Sequence, residues 1–305
     1  MKRFVFRLLV FLAIMFSLDR GFGMAIKYLQ EHAKGGLVGR RNYILDHSKE
    51  EILIFGSSRA LHHYNPQIIE DSLGLSCLNC GIEGMGMPMF YGWWTIIKER
   101  YKPKLIVYDL TPGYDLYVGE DNHKYLRDLK ERYDMPGISD IFERVDKTER
   151  IKMMSYMYRY NSVFMQILGD YVHPRVNTGE KGYLPIEEEF DPMLTRQQET
   201  NNTSIDSLKS AFVELFIRDI RNERDTKIVI ALSPIWYIKP FDNLEWLLKI
   251  CKENEVPLLD YSMNSRFNLN NSFFRDGVHL NSNGADEYTR ELVKEIKPFL
   301  DYDEQ

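Results

Sequence analysis

Two hydrophobic rhythms alternate along most of the chain. Short, mainly apolar runs at 51–55, 76–78, 104–110, 227–232 and 256–260 have the length of buried strands. Between them, residues 65–73, 89–101, 205–222, 243–253 and 284–300 repeat their apolar positions at helical spacing. Asn65 followed by Pro66 predicts a capped helix start, and Pro103 a helix stop just ahead of the third strand. Strand, helix and strand in this cadence predict an α/β fold with a parallel sheet and crossover helices.

The cadence pauses between about 115 and 203, which predicts an insertion. Within it, residues 138–168 have a helical pattern rich in Met and Tyr, a packing surface that can also adapt to partners. Residues 173–202 lack periodicity and predict a long irregular excursion or lid.

The N-terminus has a pattern of its own. Lys2 and Arg3 precede an apolar run from Phe4 to Leu18 that is broken only by Arg7, and the amphipathic residues 22–29 can lengthen the helix. Residues 1–32 therefore predict a signal anchor or transmembrane helix, with Gly23, Met24 and Ala25 as a cleavage-site alternative. Residues 33–50 read as a stalk and 51–301 as the main domain. By the positive-inside rule Lys2 and Arg3 keep the N-terminus cytoplasmic, which puts a single-pass protein in the cytoplasmic membrane with its main domain outside.

Charge narrows the partners. With 45 acidic against 39 basic residues and a net charge of −6, the chain lacks the basic excess of a nucleic-acid binder. Cys77 and Cys80 have the spacing of a redox or zinc half-site, but no second Cys/His pair accompanies them, so they read as small buried residues at a strand end. The adjacent His62 and His63 point to a metal equally weakly, and no metal site is expected.

The candidate chemistry lies in the loops after the strands, where an open parallel sheet collects its functional groups. Asp276 and His279 stand three residues apart, so one turn brings carboxylate and imidazole to the same rim. Ser58, in the small-residue turn after the first strand, is the candidate nucleophile, with adjacent Ser57 as its competitor. His279 would deprotonate the hydroxyl, Asp276 would steady the imidazole, and backbone N–H groups would hold the oxyanion. Arg59 is a candidate contact for an anionic substrate group. Trp236 and Tyr237 are candidates for stacking on a sugar.

These residues resemble the SGNH or GDSL hydrolases, a superfamily of esterases, lipases and carbohydrate acetyl-transferring or deacetylating enzymes. Phe55, Gly56, Ser57 and Ser58 are similar to its first block, with Ser58 in the nucleophile position. Asp276, Gly277, Val278 and His279, followed by Gly284, match its last block, and Asn79 to Gly84 resembles the second. The resemblance implies a three-layer α/β/α sandwich of flavodoxin-like type, a Ser58–His279–Asp276 triad, oxyanion donors at the Ser58 and Gly84 amides, and no cofactor. The third block departs from the family: Asp109-Leu110-Thr111-Pro112-Gly113-Tyr114 stands where an oxyanion Asn is normally found, with Thr111 or Tyr114 as the available substitutes.

The Gly-Ser-Ser-Arg variant behind a membrane helix further resembles the extracytoplasmic SGNH-like proteins that accompany membrane-bound O-acyltransferases, such as the D-alanyl transfer protein of teichoic acids and the alginate acetylation proteins. Tyr158 to Ser162 and Gly182 to Pro185 look similar to that subgroup. The resemblance implies a carbohydrate or acyl-ester substrate and a membrane-bound O-acyltransferase as partner. The alternative it carries, given the missing Asn, is a catalytically weak accessory protein that binds glycan or scaffolds the acyltransferase.

Overall fold

A computed structural model describes residues 1–119, 121–174, 179–191, 193, 203–236 and 241–301. In chain order, helix α1 (Lys2–Glu31) and α2 (Gly36–Asn42) lead through a π-helical turn (Tyr43–His47) to strand β1 (Ile52–Gly56). Next come α3 (Ser58–His63), α4 (Pro66–Leu73), β2 (Cys77–Asn79), α5 (Met87–Ile97), β3 (Leu105–Asp109) and the single turn α6 (Pro112–Asp115). A 3-10 run (Asn122–Arg132) precedes α7 (Ile138–Val145), α8 (Glu149–Lys152), α9 (Tyr156–Tyr160) and α10 (Phe164–Val172). The chain continues with α11 (Ser207–Arg221), β4 (Lys227–Leu232), α12 (Glu245–Glu253), β5 (Leu258–Asp260) and α13 (Ser282–Asp301).

These elements form two compact units, one of Met1–His47 with Leu126–Asn177, the other of Ser48–Tyr125 with Thr178–Gln305. The second unit is an α/β fold on a five-stranded parallel sheet of order β2-β1-β3-β4-β5. Alternate strand residues point to opposite faces. Ile52, Ile54, Val107 and Ala231 join a buried cluster with Tyr64 just after α3, Ile69 of α4 and Tyr288, Leu292 and Ile296 of α13. Phe55 and Tyr108 instead meet Phe90 of α5 and Phe216 of α11. The sequence order reverses across the sheet between β1 and β3, and that switch point is where loops splay apart and open a crevice.

Local chemistry explains the boundaries. The Asn65 side chain accepts from the Gln67 amide and Pro66 occupies the first turn of α4. Asp206 likewise accepts from Leu208 and Lys209 at the start of α11. Gly56 ends β1 at φ 140°, and a Cβ there would lie 2.6 Å from the Asp109 carbonyl oxygen, so only glycine lets β1 and β3 close at the switch point.

The first unit departs from the sequence pattern. Residues 33–50, expected as a stalk, are largely helical and bury Val38, Ile44 and Leu45. The helical stretch expected at 138–168 is four short helices, because Ser155 caps α9 through the Tyr158 amide and the Asp146–Thr148 and Asn161–Val163 segments break the rest. α1 is long and apolar enough to cross a membrane, with a mean hydropathy of 1.7 over its best window. Its C-terminal half packs Ile26 against Val38, Tyr160, Val163 and Ile167.

Cys77, Cys80 and Cys251 are buried free thiols, so no bridge forms across the Cys77–Cys80 spacing. Of the excursion expected at 173–202, residues 175–178, 192 and 194–202 lie outside the described residues. The described part, 179–191, is a strap tied by main-chain bonds: Leu184 N donates to Leu61 O, Asp191 N to Arg275 O, and Ile186 O accepts from Ser282 N.

Candidate active site

Three loops after strands carry the site. β1 delivers Ser57 and Ser58, β2 the turn from Asn79 to Gly84, and the Asp276–His279 loop lies just ahead of α13. Ser58 is the first residue of α3, so its amide has no partner inside that helix.

The structure brings Ser58, His279 and Asp276 into one hydrogen-bonded chain. Ser58 Oγ lies 2.8 Å from His279 Nε2, and His279 Nδ1 lies 2.9 and 3.1 Å from the two oxygens of Asp276. The acceptor-only carboxylate places the ring proton on Nδ1, which leaves Nε2 to accept from the serine hydroxyl. Asp276 Oδ1 also accepts from the Val278 and His279 amides, at 2.9 Å each, so the loop backbone fixes the carboxylate. Burial pushes the Asp276 carboxyl up, but the hydrogen bond and charge of His279, with the two amides, outweigh it and hold the group below its ordinary range. Ser57 is excluded as nucleophile by its geometry: it is buried, and its hydroxyl pairs with Thr111 Oγ1 at 2.9 Å.

The second loop packs directly on α3. A Cβ on Gly81 would meet the Leu61 nitrogen at 2.4 Å, and Ile82 N donates to Gly56 O. Glu83 Oε1 lies 3.2 Å from His62 Nε2, and the His62 ring stands edge-on to His279 with centroids 5.8 Å apart. His62 Nδ1 donates to the Leu184 carbonyl at 2.6 Å, so its ring is held by the strap rather than by a metal-ligand set. Gly84 follows, at φ 67°, a conformation that favours glycine.

Behind the triad runs a second polar chain that the sequence pattern does not reveal. Leu280 N donates to His63 Nε2 at 3.0 Å, which puts the ring proton on Nδ1, where it is given to Ser233 Oγ at 2.9 Å. Ser233 donates in turn to Asp109 Oδ2 at 2.7 Å. Burial, reinforced by the Arg59 charge, keeps His63 neutral, well below its ordinary value. The amide it holds belongs to the residue after His279, so the chain positions the backbone beside the His279 imidazole.

Arg59 ends this chain, which corrects its expected role in substrate contact. Its guanidinium is buried, 3.1 Å from Asp109 Oδ1, and also donates to the Leu110 carbonyl. A buried carboxylate at the end of β3 claims the cation, so Arg59 is structural. Trp236 is half-buried between Phe190 and Phe274, with ring centroids at 5.7 and 5.9 Å, and its amide donates to Gly277 O inside the Asp276–His279 loop. It packs beside the Asp276–His279 loop. Tyr237 lies outside the described residues.

In the loop after β3 the Thr111 and Tyr114 amides are both engaged. Thr111 N donates to Asp115 at 2.7 Å and Tyr114 N to Thr111 O at 2.9 Å. Asp115 also accepts from Tyr108 and Met87, and burial pushes its carboxyl up to about 6 despite those donors. A different group stands on this side. Lys124 Nζ lies 3.5 Å from where a Gly84 Cβ would be and 5.2 Å from the centroid of the Tyr114 ring. Nothing in the sequence pattern marks Lys124, because it falls in the segment where the strand cadence has stopped.

Comparison with protein-family models gives no match for the chain, and comparison with curated proteins gives none.

Proposed function

We propose that the protein is an extracytoplasmic SGNH-type serine esterase or O-acyltransferase that acts on acyl esters, chiefly O-acetyl, of cell-surface carbohydrate. On this reading the α/β unit is the superfamily's three-layer sandwich, and α1 is an uncleaved anchor in the cytoplasmic membrane. The single observation that carries it is the continuous chain from Ser58 Oγ through His279 to Asp276.

The reaction follows from those positions. Ser58 Oγ attacks the acyl carbonyl carbon while its proton passes to His279 Nε2, and Asp276 stabilises the imidazolium that results. The tetrahedral oxyanion faces the Ser58 and Gly84 amides, and the Lys124 ammonium beside Gly84 supplies the charge that the family's Asn would complement. Collapse breaks the ester C–O bond, and His279 returns the proton to the departing alcohol. Water or a sugar hydroxyl, deprotonated by His279, then releases the acyl group from Ser58. The chemistry needs neither metal nor organic cofactor.

The test is hydrolysis of an aryl acetate by the purified full chain in detergent, with Ser58→Ala as the comparison. The expected loss is at least about a thousandfold in kcat/KM. A purified chain inactive on the ester, together with a Ser58→Ala protein that kept full acylation of envelope glycans in cells, would favour the accessory reading, in which the chain scaffolds a membrane-bound O-acyltransferase.

A further inference from the structure

The apolar run of α1, from Phe4 to Leu18, measures about 22 Å at 1.5 Å per residue, against about 30 Å of bilayer hydrocarbon. Asp19 and Arg20 end it. Both charges have partners in the turn between α8 and α9, although the Arg20 side chain stays 35% exposed. Asp19 accepts from Ser155 Oγ at 2.7 Å, from Met157 N at 2.9 Å and from Tyr156 N at 3.0 Å. Arg20 donates to the Met154 carbonyl at 2.5 Å and lies against the rings of Phe16 and Tyr156, 4.8 and 4.6 Å from their centroids. Gly23 permits the contact, because a Cβ there would lie 2.4 Å from the Tyr156 ring.

The turn between α8 and α9 thus caps the charged step on α1, and the surface it turns outward is apolar. Ile151 is 73% exposed, Met154 67% and Met157 48%, and on α1 itself Met24 is 73% exposed. We infer that the turn from Ile151 to Met157 is a collar seated in the lipid interface, which carries the membrane-facing surface of α1 past Asp19 and Arg20 as far as Met24. The occupant of this surface is the bilayer, at the boundary of headgroups and acyl chains.

Length selects that occupant. From Phe4 to Met24 the helix covers 21 residues, about 31 Å, which matches the hydrocarbon thickness that the shorter run misses. Tyr156 and Tyr158 on α9 fit the amphipathic belt at a membrane boundary, where aromatic rings are enriched. Carboxylate and guanidinium are tolerated at that depth because hydroxyl and amide donors meet the one and a carbonyl and two ring faces accept the other. The inference rests on α1 being the membrane span.

Spin labels test collar and span separately. The full chain is reconstituted in nanodiscs of phosphatidylethanolamine and phosphatidylglycerol, with a nitroxide on Leu12→Cys, Ile151→Cys, Met154→Cys or Asp140→Cys; the three native thiols are buried. Depth is read from the relative relaxation by oxygen, which partitions into lipid, and by a water-soluble nickel chelate. Leu12 is expected deep in the hydrocarbon, Ile151 and Met154 within about 10 Å of the headgroup boundary, and Asp140 in water. Leu12 in lipid with Ile151 and Met154 as chelate-accessible as Asp140 would overturn the collar while leaving the span intact. Leu12 in water would overturn both. If Ile151 and Met154 are chelate-accessible in nanodiscs but shielded from both reagents in native membranes, the surface belongs to a protein partner, and the bilayer assignment is wrong.

Discussion

Replacing Arg59 by Met separates a structural cation from a substrate ligand. Arg59 and Asp109 are 2% and 0% exposed, and the guanidinium contacts both the Asp109 carboxylate and the Leu110 carbonyl. Methionine keeps most of the side-chain length but leaves a buried carboxylate without its cation, a change that typically costs about 3–5 kcal/mol. The lower end applies here, because Asp109 keeps the Ser233 hydroxyl at 2.7 Å and the Ser233 amide at 3.3 Å. Burial already raises the Asp109 carboxyl above its ordinary value of 3.8, against the pull of Arg59 and Ser233. In Arg59→Met it rises further. The sign follows: an acid whose folded pKa is raised costs nothing below its unfolded value, and its cost grows as pH climbs toward the folded one. The variant should therefore be closest to the parent near pH 4 and furthest from it near pH 8. Urea unfolding followed by tryptophan fluorescence reads this directly, since Trp93, Trp94, Trp236 and Trp246 all lie in the sheet-bearing unit. Asp109→Asn in the same chain should recover part of the loss. A variant within about 1 kcal/mol of the parent at pH 8, with KM raised for a carboxylate-bearing ester but not for a neutral one, would refute the structural role and restore Arg59 as an anion contact.

Three further outcomes follow from the site. His63 is held neutral in the fold, so below its unfolded value of 6.5 the unfolded chain takes up a proton that the folded chain refuses, and stability falls by about 1.4 kcal/mol per pH unit; in His63→Gln the loss between pH 6.5 and 5 should be smaller by about 2 kcal/mol in urea titrations. Lys124→Met should lower kcat on an aryl acetate by about a hundredfold with little change in KM, and an unchanged kcat would remove Lys124 from the oxyanion side. Gly84→Ala forces a Cβ onto a residue at φ 67° and into contact with Lys124, so it should cost about 1 kcal/mol in stability and reduce kcat more than KM.

Most of the sheet was legible because each strand declares itself locally. The run at 227–232 coincides with β4, and the others fall within about two residues of β1, β2, β3 and β5. The triad was legible as well, since Ser58, Asp276 and His279 each sit at the exit of a readable pattern. What lay hidden depends on partners far along the chain. Arg59 reads as a helix-start cation until Asp109, fifty residues on, is placed beside it. His63 reads as half of a histidine pair until Ser233 and Leu280 take its two nitrogens. The helix from Gly36 to Asn42 escaped notice because its glycines weaken the pattern, while its stability comes from burying Val38 and from the bond between the Val38 amide and Asp170.

The bond between Ser58 and His279 joins residues 221 positions apart. A growing chain that has reached β5 already contains Ser58, yet holds neither His279 nor the Asp276 carboxylate that orients it. The hydrogen-bonded chain is therefore completed in one step, when the last loop closes over the first strand's exit. The Ser58–His279 contact is for that reason a stricter measure of completed folding in this protein than helix content, which most of the chain can acquire beforehand.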